Sequence, residues 1–324
     1  MRGAAGLLQR IEASGRIFVL AVAGDSGSGK STFTKGVRRI LGEEMVATFS
    51  MDDYHSLDRQ QRLDRGITPL HPEANRLGLL AEHLERLRRG GTVDKPVYDH
   101  STGTFSGTVP FEPRPILIVE GLHPFYTAEL RRLTDFKVFV DPSRTVKRRW
   151  KLRRDVHDRG YRAEDVMREI LDREPDYKLY VDVQKVYAEM AIKIQDSRFP
   201  TSLMGGLDGP SKELYSVRLI QQIIEPVEAV ELTIDLSKIL RLSERDFSIE
   251  FQRDDYYGKR VGVITIDGEL HCDMVEDLEE RLCSMLGVSR PVVMGAEPYV
   301  DATGIAQLML AWRFLEKLEY LISA

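Results

Sequence analysis

Nine consecutive residues constrain this chain more than any others: Gly24, Asp25, Ser26, Gly27, Ser28, Gly29, Lys30, Ser31 and Thr32. They fit the phosphate-loop pattern G-x-x-x-x-G-K-[ST]. The β-branched and apolar run at 17–22 (Ile-Phe-Val-Leu-Ala-Val) precedes them and reads as a buried strand. Phe33, Val37, Ile40 and Leu41 follow at helical spacing, with Gly42 as a stop. Small residues let successive backbone N–H groups turn toward an anion, and the helix start adds unpaired donors and partial positive charge. In that setting Lys30 reaches the outer phosphates of a nucleoside triphosphate such as ATP, and Ser31 offers a hydroxyl to Mg²⁺.

Composition narrows the class. With 42% hydrophobic and 30% charged residues, the 324-residue chain reads as an ordinary globular protein. No run of 18 apolar residues occurs, so no membrane partner is expected. Gln9, Arg10 and Glu12 interrupt any secretory core at the N-terminus. Cys272 and Cys283 have neither metal-site nor disulfide-framework spacing, which suits a reducing cytoplasm. A net charge of −5 argues against a general nucleic-acid binder.

Along the chain, strand and helix patterns alternate. A short leading helix is expected within residues 1–15, then the strand, loop and helix to about Leu41. A second strand at 45–51 ends in Asp52, Asp53, Tyr54 and His55. Residues 56–75, with Gly66, Pro69 and Pro72, read mostly as loop. A helix from Pro72 or Glu73 to Arg89 carries Leu77, Leu80, Leu84 and Leu87 on one face. Residues 101–115 read as loop, and 116–119 as a buried strand ending in Glu120. Another strand at 136–140, a basic helix at 143–158, a helix at 163–173 and a strand at 188–194 follow. This βαβ alternation specifies an α/β fold with a mostly parallel sheet covered by helices on both faces. The composition shifts near 205–210, so we divide the chain into a core, 1–205, and a strand-rich α+β extension, 206–324. The extension has expected strands at 214–220, 229–236, 247–253 and 260–266 and a turn at Asp267-Gly268. Two closing helices, 271–286 and 303–322, follow. In the last, Leu308, Leu315, Leu318 and Ile322 form an apolar stripe that reads as core.

A phosphate loop implies a triphosphate but leaves the reaction open. Asp52 follows a strand, and strand ends in a parallel sheet gather where ligands bind. A carboxylate there takes the proton of an attacking hydroxyl. A lone aspartate would read as a cap, but Asp52 is surrounded in sequence by Asp53, His55, Asp58, Arg59 and Arg62, a set suited to a hydroxylated anion. Glu120 binds Mg²⁺ or orients the hydroxyl, a structural carboxylate being the alternative. Between Arg144 and Arg162 lie nine Lys or Arg residues, too many for an ordinary amphipathic face. Such runs are usually solvated, but in phosphoryl transfer mobile arginines cover the γ-phosphate. Lys151, Arg154 and Asp155 share one helical face, and Arg159 precedes a plausible hinge at Gly160.

These residues resemble the phosphoribulokinase and uridine kinase family of P-loop kinases, and within it the branch acting on ribulose 5-phosphate. The matching stretches are 24–32, 52–59 (Asp-Asp-Tyr-His-Ser-Leu-Asp-Arg), 94–100, 118–124 and 150–160. The second is far more specific than the phosphate loop. The resemblance implies ATP- and Mg²⁺-dependent phosphorylation of the sugar's 1-hydroxyl in a homodimer. It makes Asp52 the general base and a metal neighbour with Ser31 and Glu120. Lys30, Glu120, Arg154 and Asp155 act around the phosphates. His55, Arg59, Lys151 and Arg159 match sugar-phosphate positions, Tyr98 and His100 a substrate-side segment, and Arg62 joins them as a further cation. Plant-type relatives carry regulatory cysteines where this chain has Ser28 and Ser50, so that thiol switch is chemically impossible here.

Two other functions compete. A uridine or cytidine kinase shares the core, but a neutral nucleoside does not call for His55, Arg59 and Arg62. A P-loop switch would need no acid–base pair beside a basic segment, and no Asn-Lys-x-Asp guanine reader occurs.

Overall fold

The computed structural model describes residues 6–158, 160–199, 202–203, 211–222, 245–288 and 298–323. They form two compact units. The first comprises Gly15–Thr34 and Glu43–Ala191. The second comprises Lys35–Gly42 with the described parts of Met1–Ser14 and Ile192–Ala324. The chain opens on α1 (Leu7–Ala13), which belongs to the second unit.

In the first unit, β1 (Phe18–Ala23) leads through the glycine loop into the start of α2 (Lys30–Leu41), whose residues from Lys35 belong to the second unit. Then come β2 (Val46–Ser50), α3 (Arg59–Arg65) and α4 (Leu77–Arg88). A hairpin of β3 (Val93–Asp99) and β4 (Thr104–Phe111) precedes β5 (Ile116–Gly121). The unit continues through α5 (Ala128–Arg132), β6 (Phe136–Pro142), α6 (Arg144–Arg153) and α7 (Ala163–Asp172). Strand order is β6-β1-β5-β2, and the β1–β6, β1–β5 and β2–β5 pairs are all parallel. Every residue of β1 is buried, as expected of a strand covered on both faces. Leu80, Leu84 and Leu87 of α4 pack with Phe49, Leu117 and Val119. Further along the strands, Phe125, Tyr177 and Val181 pack with Ala21 and Phe139. Each fully buried leucine or phenylalanine contributes roughly 1.5–3 kcal/mol of transfer free energy. This layering is the expected α/β fold, and the parallel register brings the ends of β1, β2 and β5 to one edge.

Three local expectations are corrected. Within 56–75, α3 replaces loop. Its only apolar residue, Leu63, is exposed, so no helical stripe marks it. Asp58 starts it instead, through a capping box with Gln61. Next, α4 begins at Leu77, because Pro72–Ala74 makes its own tight turn and Asn75 is extended. Last, β4 occupies 104–111, where Thr, Ser, Gly and Pro hide a strand that, among the described residues, pairs only with β3.

In the second unit most of β7 (Met190–Asp196) joins a sheet. The short pair β8 (Ser202–Leu203) and β9 (Ser211–Lys212) is antiparallel. β10 (Tyr215–Gln222), β11 (Phe247–Tyr256) and β12 (Lys259–His271) follow, in the order β11-β12-β10-β7, and β12 is antiparallel to both β10 and β11. β13 (Tyr299–Asp301) also pairs with β12. The expected turn at Asp267-Gly268 is absent, since β12 runs through it and the chain reverses at Tyr257-Gly258. Glycine is needed at 268 for close approach: a Cβ there would lie 2.1 Å from the Asp246 carbonyl oxygen. The closing helices are Glu276–Leu286, preceded by a separate turn Cys272–Met274, and Ala302–Ser323. Leu308, Leu315 and Leu318 of the last are buried. The strand expected at 229–236 lies outside the described residues. Among the described residues, no helix is long and apolar enough to cross a membrane.

Candidate active site

The loop after β1 has positive φ at Gly27 (76°) and Gly29 (88°), a backbone shape that glycine adopts without strain. A Cβ on Gly29 would come within 3.1 Å of the Trp150 ring, so only glycine lets the basic helix approach the loop this closely. Lys30 donates to the carbonyls of Gly24 (2.9 Å) and Asp25 (2.7 Å). Desolvation pushes its ammonium pKa down, and Arg154 adds to this, against the pull of Asp52, Glu120 and Asp25. Glu120 ends β5 and accepts from Ser31 Oγ (3.1 Å) and Thr34 Oγ1 (2.6 Å), which brings a hydroxyl and a carboxylate together beside the loop.

A network of ion pairs backs the loop. Asp25 accepts from the Ser26 amide (2.7 Å), Lys147 Nζ (2.8 Å) and Arg173 (3.3 Å). Loss of hydration raises its pKa, but Arg173 and Lys147 outweigh this and hold it below the ordinary value. Lys151 Nζ pairs with Asp155 (2.7 Å) and Glu169 (3.4 Å). Arg154 links Asp155 (2.8 Å) to Ser26 Oγ (3.2 Å), so a cation spans from the π-helical turn Arg154–Asp158 to the phosphate loop.

At the end of β2, a tight turn, Met51–Tyr54, starts where Ser50 Oγ accepts from the Asp52 amide (3.3 Å). The two aspartates of that turn have different surroundings. The Asp53 side chain is 16% exposed, accepts from the Tyr98 amide (3.0 Å) and pairs with Lys95. The Asp52 side chain is 45% exposed and lies 3.4 Å from His100 Nε2. Lost hydration raises the Asp52 pKa, but His100, His55 and Lys30 together hold it well below the ordinary carboxylate range. Asp52 is therefore ionised and open, whereas Asp53 is committed to the hairpin.

His55 is buried, with Nδ1 3.0 Å from Asn75 Oδ1 and its ring edge-on to Tyr98. Arg59 donates to the His100 carbonyl (2.6 Å). Tyr98 and His100 stack edge to face. The structure thus brings Asp52, His55, Tyr98, His100 and Arg59 together. Arg62 is 8% exposed and is occupied by the Leu57 carbonyl (2.6 Å) and Tyr98 hydroxyl (2.9 Å), so it supports this group from beneath. Lys151 is likewise buried within its ion pairs. Arg159 lies outside the described residues.

Sequence reading missed Lys95, Thr34, Lys147, Arg173 and Asn75. Thr34 was within reach, one helical turn past Lys30 on the Ser31 side. Lys147 and Lys95 lay inside stretches already picked out, the basic run and 94–100, whereas nothing local marks Asn75 and Arg173, whose partners lie 20 and 148 positions away.

A glycine loop between a central parallel strand and a helix, with acidic side chains closing the neighbouring strands, defines a P-loop kinase. The chain belongs to the phosphoribulokinase / uridine kinase family, whose model matches residues 19–199. A phosphoribulokinase of Synechocystis sp. is 36% identical over 276 residues, 82% of this chain and 80% of that protein. The chloroplastic phosphoribulokinase of Spinacia oleracea is 33% identical over 77% of this chain and 67% of its own. A uridine kinase of Staphylococcus haemolyticus is 33% identical but matches 54% of this chain. A solved phosphoribulokinase from Rhodobacter sphaeroides shares the fold at a TM-score of 0.55 and 15% identity, over 94% of this chain and 99% of that one.

Proposed function

We propose that the protein transfers the γ-phosphoryl group of ATP to the 1-hydroxyl of D-ribulose 5-phosphate, releasing ADP and ribulose 1,5-bisphosphate. The observation that carries this reading is the unequal aspartate pair: Lys95 and the Tyr98 amide occupy Asp53, while Asp52 stays ionised and half-exposed beside His100. Relatives named phosphoribulokinase match about four fifths of the chain, whereas those named uridine kinase match about half.

In this mechanism Asp52 accepts the proton of the sugar hydroxyl as its oxygen forms a bond to the γ-phosphorus. The bond from that phosphorus to the ADP oxygen breaks, and the electron pair leaves with ADP. Lys30 and Arg154 neutralise the charge spread over the transferring group. Arg59, His100, Tyr98 and His55 line the acceptor side, and Lys151 and Arg159 bring cationic charge from the basic segment. Asp155 keeps Lys151 and Arg154 aligned. Arg62 acts on the sugar through Tyr98. The Ser31 hydroxyl and Glu120 carboxylate form the all-oxygen donor set that Mg²⁺ prefers, with Asp52 as a further oxygen donor. When bound, Mg²⁺ supplies charge neutralisation at the phosphates. On the same reading the protein is a cytoplasmic homodimer, which sedimentation equilibrium tests in its oligomeric part.

The deciding experiment measures ADP release in the presence of Mg²⁺ with ribulose 5-phosphate, with uridine and with neither. Turnover dependent on ribulose 5-phosphate supports the proposal. Preference for uridine, or nucleotide binding without any acceptor-dependent turnover, rejects it.

A further inference from the structure

Asn75 is a buried, extended residue between the Pro72–Ala74 turn and α4. Its carboxamide is used at both ends. Nδ2 donates to the carbonyls of Pro69 (3.0 Å) and His71 (2.9 Å). Only an NH₂ group serves two carbonyl oxygens, so the network fixes the orientation of the amide. Its oxygen is then the atom 3.0 Å from His55 Nδ1. That oxygen only accepts, so Nδ1 carries a hydrogen, and a neutral ring keeps its lone pair on Nε2.

The loop that presents Asn75 is held in turn. Thr68 Oγ1 donates to Asp176 (2.6 Å) and accepts from the Leu70 amide (3.1 Å). His71 Nδ1 accepts from the Glu73 amide (3.2 Å), which leaves Nε2–H to donate to the Tyr180 hydroxyl (3.2 Å). The Asn75 backbone also bridges to His55. The carboxamide is therefore braced by bonds on both sides of the loop.

We propose that Asn75 is a positioning residue that fixes His55 as the Nδ1–H tautomer, so that Nε2 accepts a hydrogen bond from a hydroxyl of the acceptor sugar and supplies no charge to its phosphate. This rests on the reading above, in which His55 faces that sugar. It revises the expectation, drawn from residue type alone, that His55 adds a cation. Burial is the largest influence on the ring and lowers its pKa. Asp52 pulls the other way, and Arg62 and His100 reinforce the lowering. The Tyr98 ring packs edge-on against His55, and His123, a further neighbour, is itself held neutral by burial, its pKa lowered to about 4. The sugar phosphate is then left to Arg59 and the basic segment.

Two readouts on the full chain test this. The first is a long-range ¹H–¹⁵N spectrum of protein labelled at its histidines, with His55 assigned through His55→Asn, recorded at pH 7.5 without nucleotide. The expected signal is a protonated Nδ1 and a bare Nε2; an Nε2–H ring or an imidazolium overturns the proposal. The second is kinetic. Asn75→Leu should raise the KM for ribulose 5-phosphate about tenfold, the equivalent of one lost hydrogen bond of about 1.4 kcal/mol. The KM for ATP should not move, and kcat should change far less than the sugar KM. An unchanged sugar KM in folded Asn75→Leu overturns the proposal. The two hypotheses fail separately: the functional reading falls if wild-type protein shows no ribulose 5-phosphate-dependent ADP release, and the Asn75 proposal falls on these readouts in protein that does turn over.

Discussion

Asp52 and Asp53 occupy one turn, and neighbours more than forty residues away separate their chemistry. Replacing the open one, Asp52→Asn, should lower kcat by at least about 10²-fold, the usual effect of losing a positioned base. Isothermal titration should find ATP affinity nearly unchanged. Because the Asp52 pKa is lowered on folding, its ionised form contributes stability that is complete above the unfolded carboxylate value, near pH 4, and is lost as pH falls through the lower folded value. An acid limb of kcat/KM near neutrality therefore belongs to another group. Asp53→Asn should instead act on stability. It strips Lys95 of a largely buried partner, at a cost of about 2 kcal/mol in a denaturant titration, while Asp52 keeps its cap.

Elements differ in how far they could be read in advance. β1, β5 and β6 were legible because each is an apolar run bounded by loop residues, and the phosphate loop because its chemistry fixes its spacing. Asp52 and His55 were legible as candidates because they cluster in sequence next to a strand end, and Tyr98 and His100 only through the family resemblance. α3 was not, since amphipathic periodicity needs an apolar face and α3 has none to bury. Its one local signal was the Asp58–Gln61 box. If that box starts the helix, Asp58→Ala should cost about 1 kcal/mol in thermal or chemical unfolding. It should also raise the KM for ribulose 5-phosphate more than that for ATP, because Arg59 sits in the first turn of α3. β4 was hidden for a similar reason: it is exposed along nearly its whole length, so its residues carry no apolar alternation. Asn75 was invisible at this scale. A polar residue after two prolines looks like loop, and only its three side-chain partners give it a role.

Across the whole molecule, the grouping of residues 6–14 and Lys35–Gly42 with those from Ile192 onward depends on contacts between distant stretches, which no local pattern records. The same unit holds both cysteines, Cys272 half-buried and Cys283 buried, neither in a disulfide. Burial and the nearby Glu279 and Glu280 raise the pKa of Cys283, which disfavours the reactive thiolate. Activity should accordingly be the same with and without reductant, and Cys272→Ser with Cys283→Ser should leave it so. A redox response that disappears in the double variant would show a switch in this unit. The closeness of Gly29 to Trp150 has an optical consequence. The protein has two tryptophans, and Trp312 is buried in the last helix with its indole N–H on Glu316. An indole against the nucleotide loop makes intrinsic fluorescence a built-in gauge of loop occupancy. Adding ATP should shift or quench emission in wild type and in Trp312→Phe, and should leave the spectrum of Trp150→Phe flat.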